Sequence, residues 1–244
     1  MNHKKRGVAL LFNFETFDVP QMARRSGTSA DAENLRLQLC RLNFDVRTYN
    51  DLKVDELFNI IEAVSKEDHT DCDCFLMCVL THGEEGVLYA KDTCYKPDGL
   101  WLTFTATNCP SLAGKPKLFF IQACQGSQLD SGVQLRTQTD GSSDRYKIPT
   151  FADLLIAYST LPGFFAWRNT TKGAWFVQAL CKELEINAYT VDILTLLTFV
   201  NRRVAVEFES NVPNDHHMHA KKQISFITYT LTRVLRFQPK ITGA

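Results

Sequence analysis

The chain has no excess of charge of either sign: 27 Lys and Arg stand against 27 Asp and Glu, a formal net charge of +0. Nucleic acid and anionic membranes select basic patches, so neither is expected as a partner. No apolar run approaches the roughly 18 residues of a spanning helix, and the N-terminus lacks the apolar core of a signal peptide. His3-Lys4-Lys5-Arg6 reads as a solvated basic start rather than a targeting patch. A zinc site usually draws on two separated cysteine pairs, and Cys72, Cys74 and Cys78 have no second pair further on. His216, His217 and His219 fall in a polar segment and read as an exposed loop, so no metal and no cofactor are expected. Nor is there a secreted disulfide framework. The eight cysteines sit mostly inside apolar segments, as Cys74, Cys78 and Cys181 do, which suits reduced thiols in the cytoplasm. There is no internal repeat.

What the chain does have is a pair of apolar runs that stop at chemistry. Leu118-Phe119-Phe120-Ile121 is the pattern of a strand buried on both faces of a parallel sheet. It ends at Gln122, and a thiol, Cys124, follows two residues on. The run from Cys74 to Leu80 ends in the same way, at Thr81-His82-Gly83. Ligand crevices of open α/β sheets lie outside the carboxyl ends of the strands. Two parallel strands would bring His82 and Cys124 to one edge, and a cysteine beside a histidine is the arrangement of an activated thiolate nucleophile.

The rest of the chain supplies a sheet around that edge. Val8 to Phe12 reads as a strand, a helix from Asp31 buries Leu35, Leu39 and Leu42, and Phe44 to Tyr49 alternates as a half-buried strand. Val54, Leu57, Phe58 and Ile61 mark a second helix, and Val87 to Ala90 a small hairpin, followed by an irregular stretch to Gly114. This β-α-β-α-β order argues for a mainly parallel sheet with helices on both faces. Residues 127–147 are polar and without periodicity, a linker dividing the chain into portions 1–140 and 141–244. Beyond it come a strand at Leu154 to Tyr158, helices over 173–184 and 191–204, and an expected edge strand at 232–237.

Gln122-Ala123-Cys124-Gln125-Gly126 fits Q-A-C-[RQG]-G, the local signature around the caspase nucleophile, and His82 lies 42 residues upstream. The chain resembles the caspase family nearly end to end, most of all an executioner of the kind found in invertebrates. Arg24-Arg25-Ser26-Gly27-Thr28 is similar to the family's first active-site loop, and Thr81-His82-Gly83 to its histidine loop. Tyr158-Ser159-Thr160 with Trp167-Arg168-Asn169 resembles its specificity loop; Phe208-Glu209-Ser210 and His219-Ala220-Lys221-Lys222-Gln223 resemble its late landmarks.

The resemblance implies a three-layer α/β sandwich on a six-stranded sheet, and a cytoplasmic cysteine endopeptidase that cuts proteins after aspartate in apoptotic cell death. It implies Cys124 as nucleophile, His82 as acid and base, and the backbone N–H groups of Gly83 and Cys124 as oxyanion donors. Arg25, Gln122 and Arg168 would bind the aspartate; Phe165, Trp167 and Trp175 would wall the neighbouring subsites, with Asn169 a polar contact further upstream. It further implies a zymogen cut in the linker, at Asp140 before Gly141, with Asp144 and Asp130 as weaker sites. A two-fold homodimer of large and small subunit pairs is implied too, built on the terminal strand with Val234 in it. Upstream initiator caspases and inhibitor-of-apoptosis proteins are possible partners by the same resemblance. Two departures stand out: Ala166 replaces the family's usual serine, and Asn211 to Met218 differs from vertebrate executioners. A peptidase cutting after basic residues would need acidic groups where Arg25 and Arg168 stand. A non-catalytic homologue that regulates an active partner would have lost Cys124, His82 or a pocket arginine.

Overall fold

The computed structural model describes residues 1–130 and 150–240. In chain order the elements are β1 (Val8–Asn13), α1 (Thr28–Arg41), β2 (Asp45–Asn50), α2 (Val54–Ser65) and β3 (Phe75–Leu80). A small three-stranded sheet follows, β4 (Gly83–Glu84), β5 (Val87–Tyr89) and β6 (Cys94–Tyr95), then the single turn α3 (Gly99–Leu102) and β7 (Lys117–Gln122). After 149 come β8 (Leu154–Tyr158), the short pair β9 (Arg168–Asn169) and β10 (Gly173–Ala174), α4 (Trp175–Asn187), α5 (Ile193–Glu207) and β11 (Phe226–Tyr229).

The main sheet has six strands in the order β11-β8-β7-β3-β1-β2, parallel throughout except for the antiparallel pair β8–β11. Its central strands are buried on both faces, which is why they read as unbroken apolar runs. Alternation sorts their side chains into two cores. Leu76, Cys78, Leu80, Leu118 and Phe120 pack under α1, α4 and α5, against Leu35, Leu180 and Leu197. Phe75, Met77, Val79, Phe119 and Ile121 pack under α2 and α3, against Leu57, Ile61 and Leu100. Cys74 and Cys78 therefore sit in one apolar core, where burial drives their thiols to the neutral form. Helix starts follow local chemistry: Asp192 accepts from the N–H groups of Leu194 (3.0 Å) and Thr195 (3.2 Å) and so caps α5. Among the described residues no helix is long and apolar enough to cross a membrane.

The edge strand departs from the sequence reading. It lies at Phe226–Tyr229, and residues 232–237 form no strand. Asp153 is the reason: its carboxylate accepts from Thr232 N–H (3.0 Å) and hydroxyl (2.7 Å) and turns the chain off the sheet. The apolar residues beyond serve as core plugs. Ile193 N–H donates to Leu235 O (2.8 Å), and Phe237 lies edge-on to Phe44 at 6.1 Å, whereas Val234 is 85% exposed. Helix α4 likewise begins at Trp175, not at 173, because Gly173 and Ala174 pair with β9.

Phe119 has no exposed surface and its ring meets Phe75 and Trp101, each at 6.1 Å. Phe119→Ala should lower unfolding free energy by about 3–5 kcal/mol, read from the midpoint shift in urea. A loss below about 1 kcal/mol would contradict this account of the core.

Candidate active site

Strands β3 and β7 pair in parallel with Leu80 opposite Gln122. His82 and Cys124 each stand two residues beyond that pair, on the carboxyl edge of the sheet. Both line one cleft of about 220 Å³ with Arg25, Gln122, Trp167 and Arg168. A larger cavity, about 460 Å³, lies at the amino ends of β1 to β3 among Lys4, Arg47, Glu67 and Lys240. Cys72 and His69 also line it, but His69 Nε2 is engaged by Val64 O at 2.8 Å and burial pushes the Cys72 thiol up. Among the described residues no pair of arginines pulls that thiol down as Arg25 and Arg168 pull on Cys124, so size alone does not mark the site.

Cys124 Sγ accepts from Ala166 N–H at 3.4 Å and lies 3.8 Å from Ala166 O. Burial pushes the thiol above its ordinary range, against the opposing pull of that N–H and of Arg25 and Arg168. His82 Nε2 sits 2.7 Å from Ala23 O, an acceptor, so Nε2 carries the proton and Nδ1 is the bare nitrogen of the neutral ring. The ring rests against Phe17, centroids 4.9 Å apart. Burial lowers its pKa, and the two arginines lower it further. Gly83 starts β4 directly under the nucleophile: a Cβ there would stand 2.5 Å from Cys124 O, closer than any side chain tolerates.

The two arginines reach the cleft from opposite ends of the chain. Arg25 is buried, its main chain pinned to Glu15 O (2.9 Å) and its Nη1 donating to Phe14 O and Thr28 Oγ1, both at 2.8 Å. Burial and then the neighbouring Arg168 lower its pKa to about 9. Arg168, half-buried on β9, is also lowered by burial, with Asp31 opposing. Gln122 is buried beside them, and its Oε1 has no partner among the described residues. A desolvated cleft with two cations selects a carboxylate.

The aromatic residues form a stack that leads away from the cleft. Phe165 meets Trp167 edge-on at 5.2 Å, Trp167 stacks on Trp175 at 5.5 Å, and Trp175 stacks on Phe208 at 5.5 Å. Phe165 and Trp167 line the cleft; Trp175 stands one ring behind. Asn169 Oδ1 accepts from Thr171 and Lys172 N–H, both at 2.9 Å, and caps its own turn. Three participants escaped the sequence reading. Ala23 acts through a carbonyl, which no side-chain pattern reports. Met218 lines the cleft from the loop whose composition departs from vertebrate executioners. Gln223 accepts from Trp167 N–H (2.6 Å) and donates to Ser159 O (2.7 Å), and its place in a family landmark was the available signal.

A thiol and an imidazole lining one cleft at the carboxyl ends of paired parallel strands suit a cysteine hydrolase, and the two arginines beside them suit one for acidic substrates. The family described as the caspase domain matches residues 6–236. Caspase drICE of Drosophila melanogaster is 57% identical over 244 residues, covering 98% of this chain and 72% of that one. Caspase-3 of Mus musculus is 42% identical over 238 residues, covering 97% and 86%. The crystal structure of caspase-1 from Spodoptera frugiperda superposes with a TM-score of 0.94 at 53% identity, covering 100% of this chain and 94% of that one. The chain belongs to the caspase family. It is a cysteine-type endopeptidase of the executioner kind, made as a zymogen, acting on proteins as a dimer of large and small subunit pairs.

With the thiol raised and the imidazole lowered, burial favours the neutral forms of both Cys124 and His82 over a thiolate–imidazolium pair. Alkylation of Cys124 by iodoacetamide should therefore accelerate continuously as pH rises from about 6 to 9. A rate flat across that range would mean a preformed ion pair.

Proposed function

We propose that the cleft cuts peptide bonds after aspartate, with the substrate carboxylate held by Arg25, Arg168 and the amide of Gln122. The observation that carries this is two guanidiniums in one desolvated cleft with the nucleophile. Cys124 Sγ attacks the carbonyl carbon and passes its proton to His82 Nδ1. The oxyanion settles on the N–H groups of Gly83 and Cys124; the close approach of Gly83 to Cys124 supports this pair, and one such donor is worth about 10²–10³ in rate. The tetrahedral carbon then collapses, the C–N bond breaks, and the leaving amine takes the proton from His82. Water, deprotonated by the same imidazole, hydrolyses the thioester and frees the thiol. Phe165, Trp167 and Met218 favour an apolar residue next to the aspartate, with Trp175 backing the wall and Asn169 placed for a contact further upstream.

A peptide panel tests this. Replacing aspartate by asparagine should cut kcat/KM by at least about 10²-fold, since buried Arg25 and half-buried Arg168 lose their partner. Cys124→Ala should abolish turnover and Arg168→Ala should disable the pocket; equal rates on aspartyl and asparaginyl peptides would refute the assignment.

The same reading makes the chain its own substrate class. Asp140, Gly141 and Asp144 lie outside the described residues, within the linker that would separate a large subunit (1–140) from a small one (141–244). Asp130 is a poorer site: its carbonyl accepts from Lys222 N–H at 3.0 Å, and a paired backbone is not free to enter a cleft. Initiator caspases as the cutting enzymes, inhibitor-of-apoptosis proteins as blockers, and the cytoplasm as location follow from the family reading. Amino-terminal sequencing after activation should find a small chain starting at Gly141. Full activity in a chain lacking both Asp140 and Asp144 would show that the linker is no switch.

A further inference from the structure

Asp31 belongs to neither the nucleophile nor the cleft lining, yet it is an acid buried beside the pocket cations. It lies in the first turn of α1, 1% exposed. Both of its carboxylate oxygens accept from Ala174 N–H, each at 3.0 Å. Ala174 is the β10 residue directly opposite Arg168 of β9. That hairpin has two residues per strand, too few to keep a shape by itself in water. Gly173 shows how closely the acid is seated: with φ +90 it has no Cβ, and one there would stand 2.0 Å from Asp31 Oδ1.

We propose that Asp31 is a positioning residue for the aspartate pocket: by gripping Ala174 it fixes the strand that carries Arg168 against the loop that carries Arg25. The proposal rests on the reading of those arginines as the carboxylate site. Its logic is geometric first. Arg25 stands three residues before Thr28, the first residue of α1, and its guanidinium is held by Phe14 O and Thr28 Oγ1. Arg168 arrives from the far side of the linker on an otherwise weak hairpin. Asp31 joins the two, with α1 as the shared base. Electrostatics points the same way. Arg25 and Arg168 face Asp31 from the preceding loop and from β9, and Cys181 of α4 lies within its field. Burial raises the carboxyl to about 7, while Ala174 N–H and both guanidiniums pull it down. In its ionised form the carboxyl offsets part of the repulsion between the two guanidiniums, and with its pKa at about 7 it carries that charge only in part at neutral pH.

The alternative is an acid that merely docks α4 on α1, and kinetics separates the two. Asp31→Ala should raise KM for a fluorogenic tetrapeptide ending in aspartate by about tenfold or more, with kcat within about threefold, since a misplaced binding group loses affinity before chemistry. Iodoacetamide should alkylate Cys124 in the variant at the wild-type rate. Gly173→Ala, which presses on the same contact from the hairpin side, should raise KM likewise and keeps the test open if Asp31→Ala does not fold. Joined to Arg168→Ala, Asp31→Ala should add nothing, because both act through one guanidinium. An unchanged KM in both single variants, or losses that multiply in the double variant, overturns the proposal. If Arg168→Ala itself keeps wild-type KM, the pocket reading fails instead; if Arg168→Ala is crippled and Asp31→Ala is not, only the role of Asp31 falls.

Discussion

Strands β3 and β7 run side by side with Phe75 opposite Lys117 and Leu80 opposite Gln122, and the chemistry depends on that register. Side chains alternate with period two, so a slip of one residue would exchange the two faces of a strand. It would turn Phe119 and Ile121 away from the α2 side and bring Leu118 and Phe120 into their place. The cores on the two sides are shaped differently: Phe75 stacks on Phe104 (4.0 Å) and meets Phe119 on one side, while on the other Leu76, Cys78, Leu80, Leu118 and Phe120 meet the helices' Leu35, Leu180 and Leu197. Packing thus forbids the slip. His82 and Cys124, two residues beyond the last pair on each strand, inherit their mutual placement from core packing rather than from loop conformation.

The second constraint is the cost of holding two guanidiniums out of water. Each is lowered in pKa mainly by burial, and for Arg25 the next cause is the other arginine. The fold answers with oriented dipoles and one acid: Phe14 O, the Thr28 hydroxyl oxygen that accepts from Arg25 while its O–H donates to Asn13 Oδ1 (2.7 Å), and Asp31 in the field of both arginines. The same cations act oppositely on Cys124 and His82. They favour the Cys124 thiolate and disfavour the His82 imidazolium, while burial disfavours both charges. A substrate carboxylate would cancel much of the positive field and let the imidazole take the proton more readily. Binding of the correct side chain and activation of the nucleophile would then be linked through electrostatics.

How legible all this was depended on whether the deciding interaction was local. Val8–Phe12, Phe75–Leu80 and Leu118–Ile121 could be read directly, because a strand covered on both faces needs apolar residues at every position. The placement of Cys124 and His82 at one edge of the sheet was legible because each follows the end of such a strand by two residues. The final strand was not. Val234, Leu235 and Phe237 carry strand-like residues, but Asp153, 79 residues earlier than Thr232, diverts the chain there. Leu235 and Phe237 are apolar because they enter a core, and a one-dimensional pattern does not separate that from strand burial. Asp31 looked like any first-turn acid favoured by a helix dipole, since its partner Ala174 lies 143 residues away. Ala23 shows the limit most plainly, since its contribution is a backbone carbonyl.

The cleft draws on residues from both sides of 131–149, and the described residues on the two sides contact each other directly. Strand β7 pairs with β8 from Lys117↔Leu154 to Ile121↔Tyr158, in the interior of the sheet. Beyond the strands, Gln125 N–H donates to Phe164 O (3.0 Å), Gly163 N–H to Gln125 O (2.7 Å), and Phe165 N–H to Gln128 O (2.9 Å). Asp31 and Ala174 join the halves again behind the pocket. These described contacts do not depend on continuity between residues 130 and 150, so a chain opened there would keep the β7–β8 pairing and the Asp31–Ala174 bond that hold Arg25 and Arg168 to one cleft. Such a cut would free the two new ends to move apart, which is the freedom an order–disorder switch at the cleft would need.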